Sequence, residues 1–242
     1  MPVSLYSAPA ESYQVHIEQA LRLLDQIFPL YASTLARVLE VDDEKRIAPA
    51  MRQMVLYHDL GKLTSRWQKN IGTTRSLPAH APFGAALLYR LLDGDLRNPL
   101  SFAVAIHHTD RGLLSDNIER ADVQAILDKV VNDAGRIVWA DGVAELGNDY
   151  FPELAFNLSI EDLKTVTRGM RIWARGCSLE EQHRRRLQAA LAHHVLKLCD
   201  VAAAAGRREE YKQSEDSAHY GGWFMVDEIL NYVNAIKARN RQ

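Results

Sequence analysis

Several classes of protein are excluded by what the chain has little of. Its 242 residues include two cysteines, Cys177 and Cys199, and their spacing fits neither a disulfide framework nor a thiolate zinc site. No run approaches the roughly 18 apolar residues that cross a membrane, and residues 1–10 lack the charged and apolar parts of a signal peptide. These absences predict a soluble protein of the reducing cytoplasm that makes no membrane contact.

A general excess of positive charge is also missing. The net charge is −2 at pH 7 and the pI is near 6.5. These values exclude a uniformly basic nucleic-acid binder, so any contact with a polyanion must come from local clusters. The phosphate-binding pattern GxxxxGK followed by Ser or Thr is absent too, so the chain carries no P-loop.

What the chain does contain is helical periodicity, and 47% hydrophobic residues are enough for one large core. Apolar residues recur at helical spacing over Tyr13–Pro29, Tyr31–Leu39, Ile47–His58, Phe83–Leu92, Pro99–His108, Ser115–Trp139, Leu163–Trp173, Leu179–Ala205 and Trp223–Lys237. The alternation typical of strands never exceeds a few residues. We expect an all-α fold in one domain over 1–242, with its core at about 11–205, a polar loop at 206–222 and a C-terminal helix at 223–239.

The stretch from Met54 to Gln68 carries most of the functional signal. Its helical periodicity places His58 on the apolar face of a helix, with Asp59 at the edge of that face. An ionised, unpaired carboxylate in an apolar setting costs several kcal/mol, and a divalent cation would satisfy both side chains together. Gly61 breaks the helix and leaves backbone room, while Lys62, four residues after His58, returns a positive charge to the same face. An ordinary His-Asp pair in the core is the alternative.

Other residues that a plain apolar core would not favour lie along the same helices. His16 lies in the apolar stripe of the first helix, and His80 precedes Pro82 at a helix N-terminus. The pair His107 and His108 closes another helix. Asp200 lies in a segment that is apolar nearly all round, where a carboxylate needs a partner. His193, two turns before Asp200, either orients that carboxylate or is an ordinary core or surface histidine.

The order of these residues resembles the HD phosphohydrolase superfamily. Within it, His58-Asp59-Leu60-Gly61-Lys62 followed by Trp67-Gln68 is similar to the HD nuclease of the type I CRISPR interference helicase-nuclease, over roughly residues 13–205. The resemblance implies an HD-domain helical bundle with a dinuclear metal site, cleaving single-stranded DNA in antiviral defence. Because the chain has no P-loop, it also implies a stand-alone nuclease subunit that works with a separately encoded CRISPR helicase and an RNA-guided surveillance complex.

The resemblance further implies which residues hold the metals. One ion is assigned to His16, His58, Asp59 and Asp200, and a second to His80, His107 and His108 with Asp59 bridging. Such imidazole-rich sites suit Mn, Fe, Co, Ni or Zn, with Mg also allowed. Two divalent ions of this kind would activate water for attack on a phosphodiester. Asp59 and Lys62 are then the expected catalytic residues, with Lys62 neutralising charge on the phosphoryl oxygens.

Local basic clusters are candidates for contact with the nucleic-acid strand. We predict a phosphate-tracking path from Arg66, Lys69, Arg184, Arg185 and Arg186, with Trp67 stacking on a base. The alternatives are that the arginines lie on solvated helix faces and that Trp67 lies in the core. Two other functions stay open: an HD phosphohydrolase acting on nucleotides or cyclic nucleotides, and a binding or scaffolding domain with a vestigial metal site.

Overall fold

The computed structural model describes residues 4–73, 77–108, 129–205 and, between 231 and 239, all residues except 233 and 237. Its helices are α1 (Tyr13–Leu39), α2 (Ile47–Tyr57), α3 (Ser65–Asn70), α4 (Ala81–Leu91), α5 (Gly94–Ala105), α6 (Glu153–Phe156), α7 (Ile160–Arg175) and α8 (Leu179–Ala205). Short 3₁₀ helices span Glu44–Arg46, Leu60–Leu63 and Val143–Leu146. Strands β1 (Tyr6–Ala8) and β2 (Glu11–Ser12) form an antiparallel hairpin. The predicted all-α fold is confirmed, since this hairpin is the one sheet in the part of the chain that the structure describes.

Helix α1 is longer than the sequence pattern predicts. It is one helix of 27 residues with Pro29 inside it, where we expected one helix to end and another to follow. An internal proline costs about 3 kcal/mol. Ile27 and Leu35 lie on the same face on either side of Pro29 and are fully buried. Burial of two such side chains contributes about 4 kcal/mol, so packing outweighs the lost backbone hydrogen bond.

Helix α5 also begins earlier than predicted. It starts at Gly94 rather than after Pro99, because Leu96 and Leu100 continue a buried face across the proline. It ends at Ala105, so His107 and His108 lie in the turn that follows. The helices predicted over Leu163–Trp173 and Leu179–Ala205 are confirmed as α7 and α8. Ser159 forms a full capping box with Asp162.

The helix predicted over Ser115–Trp139 is wrong in its described part. Residues 129–139 form turns and isolated bridges, pairing Val131 with Ile137 and Thr64 with Trp139. Backbone pairing across these bridges takes the place of helical hydrogen bonds. Residues 115–128 of that prediction, the polar loop at 206–222 and residues 223–230 of the C-terminal helix lie outside the described residues. Residues 231–232, 234–236 and 238–239 are helical.

Packing of the long helices brings several helix ends together. Helix α8 packs along α1 and α5, and α4 packs along α5 and α2. Helices α1 and α8 run in opposite directions, since Arg184 near the start of α8 lies 2.9 Å from Glu40 beyond the end of α1. His16 near the start of α1 therefore meets Asp200 near the end of α8. Among the described helices, no stretch combines the length and apolar character that a bilayer crossing requires.

Candidate metal centre

Asp59 lies at the centre of the gathered helix ends and is fully buried. Its Oδ2 is 3.3 Å from Nε2 of His16 and 3.5 Å from Nε2 of His58. Its Oδ1 is 3.0 Å from Nε2 of His80 and 3.6 Å from Nε2 of His107. The two carboxylate oxygens thus face different sets of histidines.

The predicted ligands gather into two groups that share Asp59. The first comprises His16, His58, Asp59 and Asp200, and the second comprises Asp59, His80, His107 and His108. Within each group the candidate ligand atoms lie within 4.8 Å of one another. The first group is wholly buried, whereas His108 in the second is exposed. Solvent therefore reaches the centre from the second group.

The ring nitrogens that face away from Asp59 are held by acceptors. Nδ1 of His58 is 2.7 Å from the Val55 carbonyl, and Nδ1 of His107 is 2.6 Å from the Val104 carbonyl. Each carbonyl accepts a hydrogen bond only from the tautomer protonated at Nδ1. The Nε2 lone pairs then point toward Asp59, as metal ligation requires.

Several buried polar atoms at the centre have no hydrogen-bond partner among the described residues. They are Nε2 of His16, His58, His80 and His107 and both carboxylate oxygens of Asp59, of which Oδ2 forms an ion pair with Lys62. Buried polar atoms are rarely left in this state, because each costs about 1–3 kcal/mol. A cation between them would satisfy all of them at once. The donor set of imidazole nitrogens and carboxylate oxygens therefore fits divalent transition metals.

Neighbouring positive charges at the centre keep the carboxylates ionised. Burial alone would raise the pKa of Asp59, but the nearby His58 and Lys62 hold that pKa well below its usual range. Burial likewise opposes ionisation of Asp200, while the nearby His16 and His58 hold its pKa well below the usual value. Both side chains are thus available as anionic ligands at neutral pH.

The histidines of the two groups differ in protonation. Burial alone would lower the pKa of His16, but contacts with Asp200, Asp59 and Glu11 outweigh it and raise that pKa to about 10. Burial lowers the pKa of His80 to about 4. The His108 ring packs against His107, with ring centroids 4.1 Å apart, and desolvation lowers its pKa to about 2. His80 and His108 thus offer neutral imidazoles, while His16 holds a proton that a metal ion would replace.

Lys62 approaches the centre from the 3₁₀ helix Leu60–Leu63 that follows α2. Its ammonium nitrogen is 2.6 Å from Oδ2 of Asp59, and the residue is 8% exposed. Its carbonyl accepts a hydrogen bond from the Gln68 amide at 2.7 Å. A buried cation is therefore fixed beside the shared carboxylate.

Two glycines allow α4 to approach this turn closely. A Cβ at Gly61 would lie 2.3 Å from the His80 carbonyl oxygen, and a Cβ at Gly84 would lie 2.2 Å from the Tyr57 carbonyl oxygen. No side chain fits at these distances. The backbone contact is what brings His80, at the N-terminus of α4, to Asp59.

The sequence analysis missed two charged residues beside the centre. Lys197 donates to the His107 carbonyl at 3.1 Å and lies 3.8 Å from Oδ2 of Asp200. Its position one helical turn before Asp200 is a signal that would have found it. Glu11 contacts His16 from the β1–β2 hairpin, for which the sequence pattern gave no signal.

Trp67 is not the predicted base-stacking platform. It is 3% exposed and meets the His80 ring edge-on, with centroids 6.3 Å apart. Its indole faces inward from α3, so no base can stack on it. The alternative of a core tryptophan is correct.

The arginine run on α8 lies far from the centre. Arg184 is 16 residues before Asp200, which is about 24 Å along a helix. Arg184 contacts Glu40 and Arg185 contacts Glu181, while Arg186 is exposed. These positions do not support a phosphate path to Asp59. Arg66 and Lys69, by contrast, follow Lys62 directly on α3, half-buried and exposed respectively.

Comparison with known proteins agrees with this architecture. No family model matches the chain. A CRISPR-associated endonuclease Cas3-HD from Thermoproteus tenax is 27% identical over 212 residues, covering 83% of this chain and 88% of that protein. The CRISPR-associated Cas3 HD domain protein of Methanocaldococcus jannaschii has the same fold, with a TM-score of 0.59 at 18% identity, over 80% of this chain and 99% of that one. In sequence, the chain is thus similar to a CRISPR-associated Cas3-HD endonuclease, and it shares the fold of a Cas3 HD domain protein.

Proposed function

We propose that the protein is a metal-dependent nuclease that hydrolyses phosphodiester bonds of single-stranded DNA at the Asp59 centre. The observation that carries this proposal is the convergence of buried, unpartnered imidazole nitrogens on the two oxygens of Asp59. In an apolar core, such unpartnered polar atoms would only destabilise the fold. It also argues against a vestigial site, because every ligand type needed for two ions is present.

The side chains around Asp59 divide the chemistry between them. Divalent ions held by the two groups would supply activated water and neutralise phosphate charge. His16, His58, Asp200 and the shared Asp59 would hold the inner ion, and His80, His107 and His108 would hold the outer one with Asp59. Lys62 keeps a positive charge beside Asp59, where it would stabilise charge developing on phosphoryl oxygens. The exposed side of the second group, at His108, admits the substrate.

A basic cleft next to Lys62 supports a nucleic-acid substrate. It encloses about 600 Å³ and is lined by Ser65, Arg66, Lys69, Asn70, Lys129, Val130 and Val138. Ser65 follows Lys62 by three residues, so the cleft begins within about 10 Å of Lys62 along the chain. Within the described ranges, no carboxylate lies within 4 Å of Arg66, Lys69 or Lys129, so these cations are available to phosphates.

The depth of Asp59 favours a single strand over a duplex. Asp59 has no exposed surface, so a phosphodiester must reach inward past His108 and His80. A flexible single strand bends into such a site at less cost than a stiff duplex. Because Trp67 is buried, the cleft offers backbone contacts without a base-stacking surface.

The biological setting is proposed from the same likeness. The relative from Thermoproteus tenax is named as CRISPR-associated. We therefore place the chain in CRISPR interference, an antiviral defence, in the cytoplasm, as a single HD domain working with a separately encoded helicase and an RNA-guided surveillance complex.

Cleavage of circular single-stranded DNA tests the proposal. We expect the purified protein with Mn²⁺ to degrade the circle, and EDTA or Asp59→Ala to abolish this. Asp133→Ala removes an exposed carboxylate and is the matched control, expected to cut like the wild type. A circle that stays intact while a nucleotide or cyclic nucleotide is hydrolysed would replace the nuclease proposal with a small-substrate phosphohydrolase.

A further inference from the structure

The β1–β2 hairpin places a carboxylate on one histidine of the metal centre. Oε2 of Glu11 lies 3.2 Å from Nδ1 of His16, on the opposite side of the ring from Asp59. The Ser7 hydroxyl donates to the same Glu11 oxygen at 2.5 Å. All three residues are buried, with exposed fractions of 6% for Glu11, 3% for Ser7 and 0% for His16. Glu11 is therefore a built contact and not a surface ion pair.

This contact differs from those that His58 and His107 make through Nδ1. His58 and His107 present Nδ1 to backbone carbonyls three residues earlier, an arrangement that their own chain geometry supplies. His16 instead presents Nδ1 to a charged side chain from a different element. The orientation of His16 therefore depends on a side chain that substitution can remove.

The hairpin is also fixed to the turn that carries Lys62. The Gln68 amide nitrogen donates to the Tyr6 carbonyl at 2.8 Å and to the Lys62 carbonyl at 2.7 Å. The Gln68 amide oxygen accepts from the Tyr6 backbone nitrogen at 3.1 Å. Gln68, the last residue of the motif that begins at His58, thus links the hairpin to the Asp59 turn. Ser7 thus holds the Glu11 carboxylate directly, while Gln68 fixes the backbone of strand β1.

We propose that Glu11 is a positioning residue that orients His16 through Nδ1 and strengthens the inner metal site, an inference that rests on the proposed metal-dependent function. The Glu11 carboxylate, 3.2 Å from Nδ1, favours the proton on that nitrogen and so the tautomer whose Nε2 faces Asp59 at 3.3 Å and Asp200 at 3.4 Å. It also adds negative charge behind a histidine ligand, which increases the basicity of Nε2. Outer carboxylates of this kind change metal affinity by about 10- to 100-fold.

Metal binding, measured independently of DNA cleavage, tests this inference. We expect Glu11→Ala to weaken Co²⁺ binding by about 10- to 100-fold at fixed pH and to shift the visible Co²⁺ absorption bands. Glu11→Gln is expected to restore part of the affinity, because its amide oxygen accepts the same hydrogen bond without the charge. Ser7→Ala, which keeps the carboxylate, is expected to have a smaller effect. Glu44→Gln removes an exposed carboxylate as the matched control.

A double-mutant cycle separates orientation of His16 from a general structural effect. If Glu11 acts through His16, then Glu11→Ala has no further effect on Co²⁺ affinity in a His16→Ala background. The same loss in both backgrounds, or wild-type affinity and spectrum in Glu11→Ala, would overturn the positioning role alone. Failure of the wild-type protein to bind Co²⁺ or Mn²⁺ would overturn the metal centre itself and this inference with it.

Discussion

At Asp59 the two carboxylate oxygens face different histidines, with His16 and His58 on one side and His80 and His107 on the other. Loss of the charge should therefore affect both metal groups. We expect Asp59→Asn, which keeps the volume, to reduce bound metal and to weaken binding by about 3 kcal/mol, or roughly a hundredfold. Metal content by plasma emission spectroscopy and nuclease rate check this together. Full metal content in Asp59→Asn would remove Asp59 as the shared ligand.

Lys62 contacts the same carboxylate but is not a candidate ligand. Its ammonium lies beside Oδ2 of Asp59, where a metal ion would also supply positive charge. We expect Lys62→Met to retain metal while the rate of cleavage falls about 10²- to 10³-fold. Lys69→Met, on the exposed side of α3, is the control for general loss of positive charge and should affect DNA binding more than turnover. A parallel loss of metal in Lys62→Met would show that Lys62 has a structural role.

The individual residues of the centre were predicted with uneven success, for physical reasons. His58 and Asp59 combine helical periodicity with a burial cost that calls for a partner, and both features can be seen in the sequence. The sequence does not distinguish a core position from a base-stacking position for Trp67, because an indole suits both equally. Glu11 reaches His16 only because a hairpin turns the chain back, and nothing in the local pattern fixes that turn.

At the scale of elements, the contact between α4 and the turn after α2 depends on Gly61 and Gly84. We expect Gly84→Ala to force the two backbones apart, because its Cβ would lie 2.2 Å from the Tyr57 carbonyl oxygen. The resulting strain should lower stability by about 2–3 kcal/mol and displace His80, which weakens the outer metal site. Calorimetry and metal titration measure the two effects.

Gly169→Ala is the matched control for this substitution. Gly169 also lies within a helix, but its Cβ would meet the movable Tyr89 hydroxyl at 3.1 Å. Because alanine is favoured over glycine in a helix by about 1 kcal/mol, this variant should be as stable as the wild type or more so. Equal stability and equal metal affinity of Gly84→Ala and Gly169→Ala would contradict the argument that the backbone at Gly84 lies too close to Tyr57 for a Cβ.

Element boundaries show where sequence periodicity stops being informative. The patterns around Pro29 and Pro99 predicted breaks, yet α1 and α5 run through both prolines. Local propensity opposes these helices, and burial across the proline outweighs it. The wrong helix prediction over residues 129–139 has a different cause. Backbone bridges to the distant residues Thr64 and Ser159 fix the conformation of that segment. Contacts remote in sequence lie outside any local pattern.

For the whole molecule, the buried histidines predict a stability optimum near neutral pH in the metal-free state. Burial lowers the pKa of His80 to about 4, so folding disfavours its protonation. Stability should therefore fall as pH drops below about 6.5, the ordinary histidine value. His16 has the opposite effect on the pH dependence of stability, because its pKa is raised to about 10. The contribution of His16 to folding stability is fully present below about pH 6.5 and is lost as the pH rises toward 10.

Thermal unfolding in EDTA between pH 5 and 9 measures this dependence. We expect the melting temperature of the metal-free protein to be highest near pH 6.5–7 and to fall on both sides. His80→Asn should flatten the acid side, because one histidine with a depressed pKa is gone. A melting temperature that rises steadily from pH 6.5 down to pH 5 would contradict the assigned protonation.

The central claim is a two-metal centre that shares Asp59, and anomalous X-ray scattering from crystals grown with Mn²⁺ tests it most directly. The account predicts two anomalous peaks, one among His16, His58, Asp59 and Asp200 and the other among Asp59, His80, His107 and His108. Their absence in Asp59→Asn crystals would assign both to the shared carboxylate. No peak within coordination distance of Asp59 in the wild-type crystal would contradict the account.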